Sequence, residues 1–212
     1  MKNIVIFGTN DLAELSLYYF THDSDWTVFG FTKNKEFIKE NECFYSRNVV
    51  PFEELEQYYS PSDYYLFAPI ADNKLREKIY NEGIKKGYKF VSYISSKCIN
   101  YASSIGDNCF ILEDNTLQPF TTIGNNVILW SGNHIGHHGI IEDNVFFTSH
   151  VVMSGHCHIK KGAFLGVNAT LRDGITIGEN CIIGMGSLVT KNTDSNNTYF
   201  GSPASKKINK NG

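Results

Sequence analysis

The chain has little of what would direct it to a membrane, to nucleic acid or along a secretory route. No apolar stretch approaches the ~18 residues of a membrane span. The apolar run at residues 4–7 is shorter than a secretory core and ends in Gly8-Thr9-Asn10-Asp11. No block of like charge occurs and the net charge is −3, so neither a polyanion nor a membrane surface has anything to grip. The five cysteines form no Cys-x-x-Cys pair, which leaves a zinc ribbon and a redox pair unsupported. The expectation is a cytoplasmic protein with no nucleic-acid partner and no membrane span.

What the chain has instead is a period of six. Sixteen hexads run over residues 99–194 without an insertion, each opening on an apolar residue, from Ile99, Ile105 and Ile111 to Ile183 and Val189. Six fits neither the 3.6 of a helix nor the alternation of an ordinary strand. It is the period of a solenoid of short parallel strands, each coil stacked on the last. The fifth slot is mostly small or β-branched, as at Val127, Ala163 and Ala169, which suits a narrow interior. Cys109, Cys157 and Cys181 fall in that slot and read as core residues. From Asn108 to Asn192 the fourth slot is Gly, Asn, Asp or His, except at Phe120. Those residues tolerate positive φ, so the slot marks the corner of each coil.

The first ninety residues follow another pattern. Strands are expected near residues 2–8, 26–32, 64–70 and 88–94. Helices are expected at 11–20 with Asp11 as N-cap, at 52–59, and at 73–86 ending at Gly87. Alternating strands and helices with short links imply a small parallel α/β sheet. Ligands of such sheets bind beyond the strand C-termini. That rule collects Gly8, Thr9, Asn10, Thr32, Lys33 and Asn73 as candidate substrate-binding residues. The Gly8 turn matches a dinucleotide phosphate loop only at its first glycine, and the same residues read equally as ordinary turns.

A small α/β unit followed by unbroken hexads resembles the bacterial sugar acyltransferases related to sialic acid O-acetyltransferase and the nucleotide-sugar N-acetyltransferases. The segment Gly132-Asn133-His134-Ile135-Gly136-His137-His138, the hexads after it and the tail Gly201-Ser202-Pro203-Ala204 carry the likeness. It implies a Rossmann-like nucleotide-sugar-binding unit at 1–95, a left-handed parallel β-helix with acetyltransferase function at 96–194, and a tail at 195–212. It also implies a homotrimer with acetyl-CoA held between neighbouring solenoids.

Of the seven histidines, His138, His150 and His156 occupy corner slots, His134 and His158 occupy the outward sixth slot, and His137 alone occupies slot three. The resemblance places the catalytic base at His137. An imidazole suits the role, because acetyl transfer needs a proton acceptor, an oxyanion donor and an aligned coenzyme. With eighteen residues per coil, Gly155 stacks on His137. It would either supply an oxyanion N–H, as the resemblance implies, or meet the steric need of a turn. His134 and His138 are candidate substrate contacts. The stretches Gly166-Val167-Asn168-Ala169 and Gly184-Met185-Gly186-Ser187 place small residues where a pantetheine arm would lie against backbone, with Asn168, Ala169, Gly184, Met185 and Gly186 as candidate coenzyme contacts. Pro203 and Lys206 resemble the family's coenzyme end, Lys206 reading equally as a solvated charge. No metal is expected: the three-histidine site of hexapeptide carbonic anhydrases needs a ligand about two coils before its pair, and no histidine lies between His22 and His134.

Two positions depart from the family. His138 stands where an acidic residue usually follows the base, and Trp130 replaces an asparagine. Glu142 or Asp143 would have to supply the charge, or the base is less basic. The function expected is acetyl-CoA-dependent N-acetylation of a nucleotide-linked 4-amino-4,6-dideoxyhexose for surface polysaccharide or glycan biosynthesis. The alternatives are O-acetylation of a free sugar such as a sialic acid, or a non-catalytic trimeric scaffold that binds a nucleotide sugar.

Overall fold

The computed structural model describes residues 2–207, so the last five residues of the expected tail lie outside the described residues. The chain divides into two compact units between Tyr93 and Ile94. The first contains β1 (Asn3–Phe7), α1 (Asp11–His22), β2 (Thr27–Lys33), β3 (Cys43–Phe44), β4 (Arg47–Pro51), β5 (Tyr64–Phe67) and α2 (Asn73–Lys85), with a 3-10 helix at Phe52–Gln57. Its sheet has the order β3-β4-β2-β1-β5. All pairs are parallel except β3 with β4. Ile4, Val5 and Ile6 are wholly buried, as a central strand covered on both faces requires.

Asn10, not Asp11, caps α1: its Oδ1 accepts from Ala13 N at 3.2 Å. Asp11 becomes the first helical residue, where its charge suits the helix dipole. α1 buries Ala13, Leu17 and Phe20, and the Phe20 ring meets Phe67 edge-on at 5.0 Å. The strand expected at 88–94 is reduced to a bridge between Leu66 and Phe90 and a two-residue strand, Tyr93–Ile94. The hairpin of β3 and β4 was not foreseen. Tyr45 and Ser46, both with positive φ, make its turn, a job usually given to Asn-Gly.

The second unit is a parallel β-helix. Thr116 pairs with His134, His134 with Val152, and Val152 with Thr170, so each coil takes eighteen residues. Each coil contributes one two-residue strand to each of three sheets. Slots one and five fill the interior: Ile111, Leu129, Ile135, Leu165, Cys157 and Cys181 are among its fully buried residues. Each buried Ile or Leu contributes about 1.5–3 kcal/mol. Burial pushes the thiols of Cys157 and Cys181 up, which keeps them protonated packing residues.

Slot four has positive φ at every position from Asn108 to Gly186, Phe120 included at 67°. The corners align in three columns. In one of them the amides of Asn108, Asn126 and Asn144 form a buried ladder, with bonds of 2.7 and 2.9 Å. Asn115 and Asn133 lie in the interior itself, where their side chains accept from Asn133 N at 3.2 Å and Val151 N at 2.8 Å.

Candidate active site

The corner that links the sheet of His134–Ile135 to the sheet of Ile140–Ile141 carries four successive pairs: Pro119-Phe120, His137-His138, Gly155-His156 and Asp173-Gly174. Slot four sets the backbone there, with φ of 56° at both His138 and His156. Their rings stack at 4.8 Å with 13° between planes, and the Phe120 ring continues the stack below His138 at 4.6 Å. The His137 ring stands across this ladder, at 88° to His138 and 86° to His156.

Three contacts fix His137. Its N–H donates to Gln118 Oε1 at 2.8 Å. Its carbonyl accepts from His156 N at 2.9 Å. Its Nδ1 lies 3.1 Å from His138 Nδ1, a hydrogen bond whose direction the tautomer sets. The opposite edge of the ring leans into the space above Gly155: a Cβ there would lie 2.6 Å from Cε1, 2.8 Å from Nε2 and 3.1 Å from Asp173 Oδ1. The missing side chain thus opens a gap that His137 and Asp173 share. The Gly155 N–H faces no acceptor among the described residues.

Neither carboxylate suggested from sequence reaches His137. Glu142 holds His158 Nε2 at 2.6 Å and Lys161 N at 2.9 Å, on the next corner. Burial pushes its carboxyl up, but the Lys161 N–H and His158 outweigh it and hold the group below the ordinary range. Asp143 accepts from Asn125 N at 2.7 Å. The nitrogen of His138 stands instead where the acid was expected, and Asp173 lies on the far side of the ring. Gln118, Phe120, His156 and Asp173 were not singled out from sequence as site residues. Counting by eighteens from His137 and His138 would have found all but Gln118.

The other candidates sit elsewhere. His134 is a half-buried strand residue. His150, with φ of 59°, turns a different corner. So do Asn168, Met185 and Gly186, whose column links another pair of sheets. Within one chain, therefore, the histidine corner and the expected pantetheine corner are separate. Ala169 is fully buried and offers only backbone. A Cβ on Gly184 would press on Phe200 at 3.0 Å. Pro203 lies in the turn between Thr198–Phe200 and Ser205–Lys206. Lys206 pairs with Asp194 at 3.3 Å.

In the α/β unit, Gly8 has φ of 105° and its N–H donates to Thr32 O at 2.7 Å. Thr9 and Lys33 meet there, with Lys33 Nζ 3.3 Å from Thr9 Oγ1 and 2.6 Å from Glu42. The Lys33 ammonium, then the Lys39 N–H, hold the Glu42 carboxyl below its ordinary range. Thr32 is wholly buried and its hydroxyl donates to Val50 O, so it shapes the turn from behind. Asn10 is spent on the helix cap, and Asn73 Oδ1 accepts from Arg76 Nη2 at 2.9 Å.

Comparison with known proteins bears on both units. Residues 102–137 and 156–191 match the bacterial transferase hexapeptide model (six repeats). Curated relatives from Pseudomonas paraeruginosa and Pseudomonas aeruginosa, named acyl-(acyl-carrier-protein)–UDP-N-acetylglucosamine O-acyltransferase, are 30% identical over 107 residues, 47% of this chain and 42% of theirs. The chain thus spans less than half the length of the curated relatives it matches.

Solved structures match almost end to end. The acetyltransferase domain of PglB from Neisseria gonorrhoeae has a TM-score of 0.84 at 17% identity, over 98% of this chain and 100% of that one. A mutant of perosamine N-acetyltransferase from Caulobacter crescentus, in complex with CoA and GDP-perosamine, has a TM-score of 0.85 at 20% identity, over 99% and 98%. WeeI from Acinetobacter baumannii has 0.84 at 20%, over 98% and 100%. These likenesses establish the fold, an α/β unit followed by a left-handed parallel β-helix. Residues 102–137 and 156–191 thus carry hexapeptide repeats of the bacterial transferase type, and the chain has the fold of these acetyltransferases.

Proposed function

We propose that the chain is an acetyl-CoA-dependent N-acetyltransferase of a nucleotide-linked amino sugar, of the 4-amino-4,6-dideoxyhexose type, with His137 as general base. The observation that carries this reading is the orientation of His137: Nδ1 engaged by His138, and the Nε2 edge turned to the gap over Gly155. With the proton on His137 Nδ1 donated to His138 Nδ1, the lone pair of Nε2 is free. It takes a proton from the acceptor amine as the nitrogen attacks the thioester carbonyl. The unpaired Gly155 N–H receives the developing oxyanion. Collapse breaks the carbon–sulfur bond, and the His137 imidazolium returns its proton to the thiolate of CoA. His138 supplies the positioning of an acidic neighbour without its fixed charge.

The α/β unit is assigned the nucleotide, through Gly8, Thr9 and Lys33. One of the neighbours that cover both units is named for N-acetylation and carries CoA and GDP-perosamine, which supports an amine acceptor. The curated relatives are O-acyltransferases, which favours a hydroxyl as the second reading. Acetyl-CoA assays with UDP-, GDP- and dTDP-linked amino sugars test the proposal. We expect an alkali-stable amide product, and a loss of at least about a hundredfold in kcat for His137→Asn. A rate near wild type in that variant removes the base assignment. An alkali-labile product moves the reading to O-acetylation, and no transfer to any acceptor rejects the enzyme.

A further inference from the structure

We propose that His137, His138 and His156 form a binding site for a first-row divalent transition metal, Zn²⁺ in the first instance, which is not a cofactor of the transfer but an antagonist of the base. The ligand nitrogens of the three rings all lie within 4.8 Å of one another, and all three residues are exposed, so an ion can reach them. The Nδ1 atoms of His137 and His138 already stand 3.1 Å apart. Zinc–imidazole bonds of about 2.0–2.1 Å put two ligands of a tetrahedral ion about 3.3 Å apart, so that pair already stands at ligand spacing and needs only ring rotation to aim both nitrogens at one ion. Turning the exposed His156 ring brings in the third nitrogen, and water completes the set. Imidazole nitrogen suits zinc, copper and nickel, whereas magnesium and calcium prefer oxygen.

The far side of His137 strengthens the assignment. A ligating histidine commonly donates its other ring N–H to a carboxylate, which fixes the tautomer and raises ligand basicity. Here Asp173 Oδ1 and the His137 Nε2 edge flank the same empty Cβ position of Gly155. The corner residues His138 and His156, with His137 beside them, therefore also make a donor set. The pattern is not that of a pair with a third ligand two coils earlier, but of adjacent residues plus one from the coil above.

The proton balance explains the antagonism. A neutral imidazole carries one N–H. Metal on Nδ1 of His137 leaves that proton only Nε2, where it points toward Asp173. No proton is lost to solvent, yet Nε2 no longer has the lone pair that the acceptor amine requires. This consequence rests on the base reading above, whereas the binding itself does not.

Zinc titration of the full-length, untagged, EDTA-treated protein by calorimetry tests the site. The substitutions are His138→Asn and His156→Asn, because asparagine keeps the left-handed corner. We expect one ion per chain with a Kd tighter than about 0.1 mM, weakened at least about tenfold by each substitution and unchanged by His158→Ala. Weaker binding in the wild type, or tight binding that survives either asparagine substitution, overturns the site. A chain that transfers acetyl but binds no zinc rejects this site alone. A chain that binds zinc as described but transfers nothing keeps the site and rejects the base.

Discussion

Phe120 is held against its own steric preference. Its φ is 67°, a region that costs an ordinary side chain about 1–2 kcal/mol, and 64% of its surface is exposed, so burial returns little. What the ring gains is the contact with His138. Phe120→Asn should relieve the strain and raise the unfolding free energy by about 1 kcal/mol, read by urea denaturation. A fall would mean that the ring ladder outweighs the strain. Residue type alone announced the corners, because Gly, Asn, Asp and His at slot four took positive φ from Asn108 to Gly186, with Asn192 at the end of the array departing, and Phe120 stood out as the exception in the sequence itself. The site was less legible. His137 and Gly155 could be paired by counting one coil, but what engages Nδ1 could not, since sequence shows which carboxylates are near in number and not which corner they turn. Glu142 and Asp143 are close to His137 along the chain and belong to the next corner. Asp173 is 36 residues away and leans into the same gap.

At the scale of elements, Glu142 shows how one coil is tied to the next. It joins its own coil to the following one through His158 and the Lys161 N–H. Its carboxyl is desolvated but held below the ordinary range by those two donors. A depressed folded value means stability that is present above the unfolded carboxylate pKa and is lost as pH falls through the folded one. Stability should therefore decline below about pH 4, with the acid limb shallower in Glu142→Gln; an unchanged limb would show that the pair contributes nothing. The side chains are more than a third exposed, so the effect is small. The solenoid strands were legible because every coil repeats one pattern. The α/β unit was harder to read. Its β3–β4 hairpin turns on Tyr45-Ser46, which no composition rule marks, and residues 88–94 read as one strand by apolarity although the chain pairs there only at the Phe90 bridge and the two residues Tyr93–Ile94.

At the scale of the molecule, the separation of two corners sets the assembly question. The His137 column and the Asn168–Gly186 column occupy different corners of one solenoid. If the first supplies the base and the second holds the pantetheine arm, a working site needs corners from two chains, as in a closed cyclic oligomer. The outward faces fit such a role: Ile140, Val152, Ile182 and Leu188 are exposed strand residues and Met185 is 78% exposed, an apolar content that a lone solenoid would leave in water. A homotrimer is the proposed form, and mixed oligomers test it. His137→Ala removes the base, while Met185→Glu sets a negative charge beside the proposed path of an anionic coenzyme. Each variant alone should be inactive, with its trimer intact by sedimentation. In trimers mixed at random in equal amounts, an interface works only when its base comes from one variant and its pantetheine corner from the other. That arrangement occurs at about a quarter of interfaces, so activity should return to about a quarter of wild type. If both corners serve a site within one chain, mixing restores nothing, because every chain carries one defect.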